Sequence, residues 1–158
     1  MTAAGITIRP AGPADVEALV GLRLANARAH VALDPVAYRV PDADAVRRYF
    51  AAPAATDGIL VAERDGRVAG MVEIVPNPEP PDHQILQPRR SAQIHTVVAG
   101  DARGGGIGSA LVEAAARRAA ECGIAYLSAG IHHANAGAVR FYQRHGFTAS
   151  GVAFTRTI

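Results

Sequence analysis

Residues 103–108 read RGGGIG, and the helical pattern SALVEAAARRAAECG follows at once. Glycine loses more conformational freedom on ordering than any other residue, so three together before a helix mark a place that needs bare backbone. A glycine-rich turn between a strand and a helix leaves N–H groups unpaired at the positive end of the helix dipole. Without Cβ atoms an anion can approach closely. Arg103 adds a full charge on a donor fork that matches phosphate oxygens. The stretch therefore reads as a cradle for a phosphate-bearing ligand, against the bland alternative of a flexible strand–helix connector.

The type of phosphate ligand is narrowed by what is missing. All 16 basic residues are arginine and the chain has no lysine, which excludes a Walker A loop and every mechanism built on a lysine amine. Gly104, Gly106 and Ser109 nearly fit a dinucleotide fingerprint. That unit, however, normally opens its fold and places an acid at the end of the next strand. Here it comes late, and AYLSAGIHHAN offers no acid.

The rest of the chain suits one soluble domain over 1–158: 49% of residues are hydrophobic and 19% charged,. No apolar run approaches the roughly 20 residues of a membrane span. The start, MTAAGITIRPAG, has neither a basic nor an apolar leader region,. Cys122 stands alone, so no intrachain disulfide and no multi-cysteine zinc site is available, and the cytoplasm is the expected compartment,. A net charge of +2 without a basic block argues against nucleic acid,.

Periodicity predicts a strand at 6–9 and a helix opening at Gly12-Pro13, with Val16, Leu19, Val20, Leu24 and Ala27 on its apolar side. A shorter helix follows Pro41-Asp42, with Val46, Tyr49 and Phe50 on one face. Residues 58–75 read as two strands around Asp65-Gly66. Residues 76–90 carry five of the ten prolines and read as loop,. Next come a strand over 92–100, a helix over 106–122 stopped by Gly123, and a strand over 124–131. A helix over 135–145 is stopped by Gly146, and one or two strands lie in 147–158. The order β-α-α-β-β-β-α-β-α-β gives an α/β (α+β) fold, a mixed sheet flanked by helices.

Arg103-x-x-Gly106-x-Gly108 at a strand–helix junction resembles the acyl-CoA pyrophosphate loop of the GNAT superfamily of N-acetyltransferases. Downstream, Asn135-x-x-Ala138-x-x-Phe141-Tyr142-x-x-x-Gly146-Phe147 is similar to that family's second cofactor segment. The likeness is strong from Gln93 to Gly151 and looser before it. It implies a mostly antiparallel sheet splayed between its fourth and fifth strands, with the pantetheine arm of acetyl-CoA in the gap. The arm would pair with backbone near Val97 and Val98. The pyrophosphate would rest on the N–H groups of Arg103, Gly104, Gly105, Gly106, Ile107 and Gly108, with Ser109 at the edge. Asn135 would bond the pantetheine or its neighbouring backbone, or cap a helix. Ala138 would leave room for the cofactor.

The same resemblance makes Tyr142 the general acid that protonates the departing thiolate. For the base, His95 lies near where the family often has Glu or His, although the family's acid aligns closer to Ile94. Strand alternation groups His95 with Gln93 and Val97, and puts Ile94 and Thr96 on the opposite face. Glu73 and a water relay are the other candidates. His132 and His133 read as diverging loop residues that no carboxylate joins, not as metal ligands. His30, Asp34, Tyr38 and Arg39 would lie over the acceptor cleft, either recognising an amine or fixing a helix connection. With no run of acids, a small amine or peptide N-terminus is favoured over a polycationic tail. The expected activity is acetyl transfer from acetyl-CoA to a primary amine, without metal. A non-catalytic acyl-CoA-binding regulatory module is the alternative, and a nucleotide-binding or transcriptional module the third class. The alternating tail VAFTRTI suggests a homodimer formed through terminal strands.

Overall fold

Asp65 and Gly66 both have positive φ, 53° and 72°, the backbone of a tight hairpin turn whose twist suits the strands it joins. Those strands are β2 (Ile59–Arg64) and β3 (Arg67–Pro76), and they form the middle of a five-stranded sheet. The sheet runs in chain order from β1 (Ile6–Pro10) through β2 and β3 to β4 (Ser91–Val98) and β5 (Tyr126–Ser128). The first four strands are antiparallel, and β5 is parallel to β4. The computed structural model describes residues 5–158. The first four, part of the segment read as lacking a leader, lie outside the described residues.

Helices cover both faces. On one lie α1 (Val16–Leu33) and α2 (Ala43–Ala51), followed by the short α3 (Pro53–Thr56). Leu19, Val20, Val46 and Phe50 pack there against Ile59, Val61, Met71 and Val97. On the other lie α4 (Ile107–Glu121) and α5 (Ala136–Arg144). Ile107, Leu111, Val112, Ala115 and Tyr142 pack there against Val72, Ile74, Ala92 and Ile94. Each fully buried side chain such as Phe50 or Leu111 contributes about 1.5–3 kcal/mol of transfer free energy,. Leu22 of α1 is buried outside the expected stripe.

Two expectations fail at the end of the chain. The strand expected over 124–131 is ordered as a strand only at Tyr126–Ser128. The tail 147–158, expected to hold one or two strands, forms none, and its Val152 and Phe154 are 83% and 93% exposed. Alternation marks residues that suit a half-buried ladder, but a strand exists only through its partner. The three residues of β5 offer too short an edge to recruit one.

Candidate active site

The β4–β5 ladder runs only from Ser91↔Tyr126 to Gln93↔Ser128, while β4 continues to Val98. Beyond Gln93 the strands part and leave a cleft. Antiparallel hydrogen bonds alternate along a strand. Asn77 N–H bonds to Ser91 O, and Ala99 N–H to Ala69 O, so the odd-numbered residues of β4 give their backbone to β3. His95 and Val97 are thus committed opposite Glu73 and Met71. The N–H and C=O groups of Thr96 and Val98 are left facing the cleft, and such groups need partners. Of the two residues expected to pair with a pantetheine arm, Val98 turns its backbone to the cleft. Val97 instead packs its side chain against the α1 face.

The cleft is part of a cavity of about 700 Å³ that reaches from the glycine loop to α1. The three successive glycines answer two different demands at the loop. Gly104 and Gly106 take the left-handed backbone, with φ of 78° and 80°,. At Gly105 a Cβ would sit 2.5 Å from the Arg64 guanidinium, whose Nη2 donates to the Gly105 carbonyl at 2.8 Å. Arg64, at the end of β2, thereby fixes which way that peptide turns. Arg64 is a loop-gripping residue that local spacing gives no sign of, since 41 residues separate it from its partner. Gly106 precedes α4, and its carbonyl takes the first helical bond, from Ala110 N–H. The N–H groups of Ile107, Gly108 and Ser109 are those left without a helical acceptor. Arg103 and Arg144 bring positive charge to this end of the cavity. Gly105, expected in the cradle, is held from beneath and is not among the residues lining the cavity. The Ser109 hydroxyl is within 3.0 Å of His145 Nε2.

Asn135 caps α5: its side-chain oxygen accepts from Ala138 N–H at 3.2 Å. Both residues also line the cavity. Tyr142, which lines the cavity, is buried among Phe141, Phe147 and Ile94, and its hydroxyl donates to Thr96 Oγ1 at 3.1 Å. Burial pushes its phenol above the ordinary range, with the Thr96 bond opposing. The phenol therefore keeps its proton at neutral pH.

On the opposite face His95 is exposed and lines the same cavity. Glu73 is buried, but both its oxygens are occupied. Arg23 Nη2 donates to one at 2.8 Å and the Tyr49 hydroxyl to the other at 2.5 Å. The carboxylate in turn raises the Tyr49 phenol. Glu73 is thus a structural ion-pair partner of α1 rather than a free base.

The histidine pair departs from expectation. Residues 130–134 are not strand, so side-chain alternation does not separate them, and the His132 and His133 rings stack at 4.7 Å. A carboxylate does join them: Asp34, at the end of α1, lies 3.0 Å from His132 Nε2. The Ala37 amide and His132 hold the Asp34 carboxyl below its usual range. Tyr38 packs between His30 and His132, with ring centroids 4.9 Å and 6.0 Å away. Of the four lid residues expected over the acceptor cleft, His30, Asp34 and Tyr38 gather around His132, and His30 and His132 line the cavity, while Arg39 is exposed and takes no part in the ring cluster. Among the described residues no group of three metal-ligating side chains occurs, and no helix is long and apolar enough to cross a membrane.

The model of the acetyltransferase (GNAT) family matches residues 25–147. No curated protein sequence matches the chain at a significant level. Among solved structures, the chain is similar to a transcriptional regulator from Bacillus halodurans C-125, with 28% identity, TM-score 0.71, and 97% of this chain and 99% of that one covered. It is similar to a ribosomal-protein-alanine N-acetyltransferase from Brucella melitensis at 28% identity and TM-score 0.69, over 92% and 86% of the two chains. An aminoglycoside acetyltransferase from an uncultured soil metagenomic sample shares the fold at 16% identity and TM-score 0.63, over 98% and 97%. With 123 consecutive residues matched to the family model and a sheet that parts beside a glycine loop, the chain belongs to the GNAT acetyltransferase family.

Proposed function

We propose that the protein transfers an acetyl group from acetyl-CoA to a primary amine of a small molecule or peptide, directly within a ternary complex. The observation that carries this reading is the open edge of β4, where Thr96 and Val98 turn unpaired backbone groups into a cavity. That cavity has an anion-holding loop at one end and a buried phenol in its wall. An extended chain bearing amides and a diphosphate fits that sequence of partners. The loop would hold the diphosphate, the strand edge the amides, and Tyr142 would supply a proton to the sulfur as the thioester C–S bond breaks. The Brucella melitensis relative supports an amino group as acceptor.

The second reading, an acyl-CoA-binding module without turnover, draws on the engagement of Glu73. Release of free thiol from acetyl-CoA across a panel of amines separates the two. Turnover with any member supports the enzyme, and tight acetyl-CoA binding with no thiol from any amine supports the module. The exposed apolar tail supports a homodimer in which 147–158 finds its ladder on a second copy,. The lone, exposed Cys122 supports a reducing, cytoplasmic setting,.

A further inference from the structure

We propose that His30, on the last turns of α1, is the base that takes the proton from the incoming amine. This rests on the acetyltransferase reading above. His30 Nδ1 lies 2.9 Å from the Asn26 carbonyl, which can only accept. Nδ1 therefore carries hydrogen in every protonation state, and Nε2 is the nitrogen with the free lone pair. Tyr38 packs edge-on against the ring and fixes its plane. Both His30 and Asn26 line the cavity that contains Tyr142.

The other candidates lack one of these features. His132 has both nitrogens engaged: Nε2 with Asp34, and Nδ1 as acceptor from the Ala134 N–H at 3.2 Å. Glu73 accepts from Arg23 and Tyr49 and lines a different cavity from the one that contains Tyr142. His145 is tied to Ser109 and Glu113 on the α4 side. His95 lines the cavity, but among the described residues no hydrogen bond fixes its ring.

The placement also suits the direction of reaction. Tyr142 packs on the α4–α5 face of the sheet, and α1 lies on the other. The gap between β4 and β5 joins the two faces, so the amine arrives from the His30 side and the sulfur leaves toward Tyr142. His30 Nε2 takes one proton from the ammonium, and the freed lone pair forms the C–N bond as the C–S bond breaks. The sulfur leaves with the bonding pair and takes the Tyr142 proton. The second proton lost from nitrogen restores the phenol, and His30 returns its proton to solvent.

The test compares wild type, His30→Ala and His30→Asn, with an amino sugar, spermidine and a short peptide with a free N-terminus as acceptors. Asn keeps a donor for the Asn26 carbonyl but has no base at Nε2. Both variants should lose about 10²–10⁴-fold in kcat while binding acetyl-CoA within about twofold of wild type by calorimetry. Added imidazole should restore at least about tenfold of the lost rate in His30→Ala. Independently of turnover, nitrogen NMR of the wild-type ring should show the Nδ1–H tautomer. An active wild type whose His30→Asn variant keeps its rate overturns the proposal alone, as does imidazole rescue found in His95→Ala and not in His30→Ala. A wild type that binds acetyl-CoA but turns over no acceptor overturns the proposal together with the enzyme reading. No acetyl-CoA binding at all overturns the site itself.

Discussion

Tyr142 sits where packing and proton donation call for the same side chain, and the hydroxyl separates them. Tyr142→Phe keeps the ring contacts with Phe141 and Phe147 and deletes the bond to Thr96. Loss of that bond costs about 0.5–1.5 kcal/mol of stability. If the phenol protonates the leaving thiolate, kcat falls roughly 10²-fold or more. Acetyl-CoA affinity changes little, because the bond strengthens only as charge develops on sulfur. Steady-state kinetics with calorimetry checks both numbers, and full turnover in Tyr142→Phe would leave water as the acid. The left-handed glycines Gly104 and Gly106 and the Asn135 cap are legible in the sequence because their demands are local, whereas the roles given to Tyr142 and Ala138 rest on the family resemblance. Arg64, Thr96 and the His30 tautomer are not legible. Each depends on a partner placed by the tertiary fold or on one helical turn's geometry, which residue spacing alone does not assign.

Among the elements, the junction of β1 with α1 is held by one buried carboxylate. Asp15 accepts from both terminal nitrogens of Arg9, at 2.8 and 2.9 Å, and from Gly12 N–H at 2.8 Å. The Arg9 bonds, against the cost of burial, and then the Gly12 amide hold its carboxyl below the ordinary value. Its stabilisation is therefore complete above the unfolded carboxylate pKa of about 3.9 and is lost as pH falls through the lower folded value. Asp15→Asn should be less stable at pH 7 by about 1–3 kcal/mol. Thermal melts should show the gap between wild type and variant closing as the pH drops below about 4. A gap that persists to pH 2 would place the effect in packing rather than charge. Elements framed by their own signals, such as the Asp65-Gly66 hairpin, the Asp42 cap of α2 and the Gly123 stop after α4, were readable one by one. The length of β5 and the state of the tail were not, because a strand's extent is set by its neighbour.

At the scale of the whole molecule, a sheet with helices on both faces opens at one place, between β4 and β5, and there the two faces communicate. The tail beyond α5 is the second open feature, with Val152, Phe154 and Ile158 in solvent. If it pairs with a second copy, light scattering at micromolar concentration gives a dimer, and removal of residues 152–158 gives a monomer. A monomeric full-length chain contradicts that pairing.

The central claim is that the loop at 103–108 holds the diphosphate of acetyl-CoA. Titration calorimetry with acetyl-CoA on wild type and Gly106→Val tests it most directly. A Cβ at Gly106 meets no protein atom within 4 Å, so a side chain there projects into open space beside the loop. At φ 80° valine is also strained, which predicts a lower Tm for a chain that still folds. The predicted result is measurable binding to wild type and at least about tenfold weaker binding, 1.4 kcal/mol, to the folded variant. Equal affinity in the two, or no binding to wild type, would contradict the account.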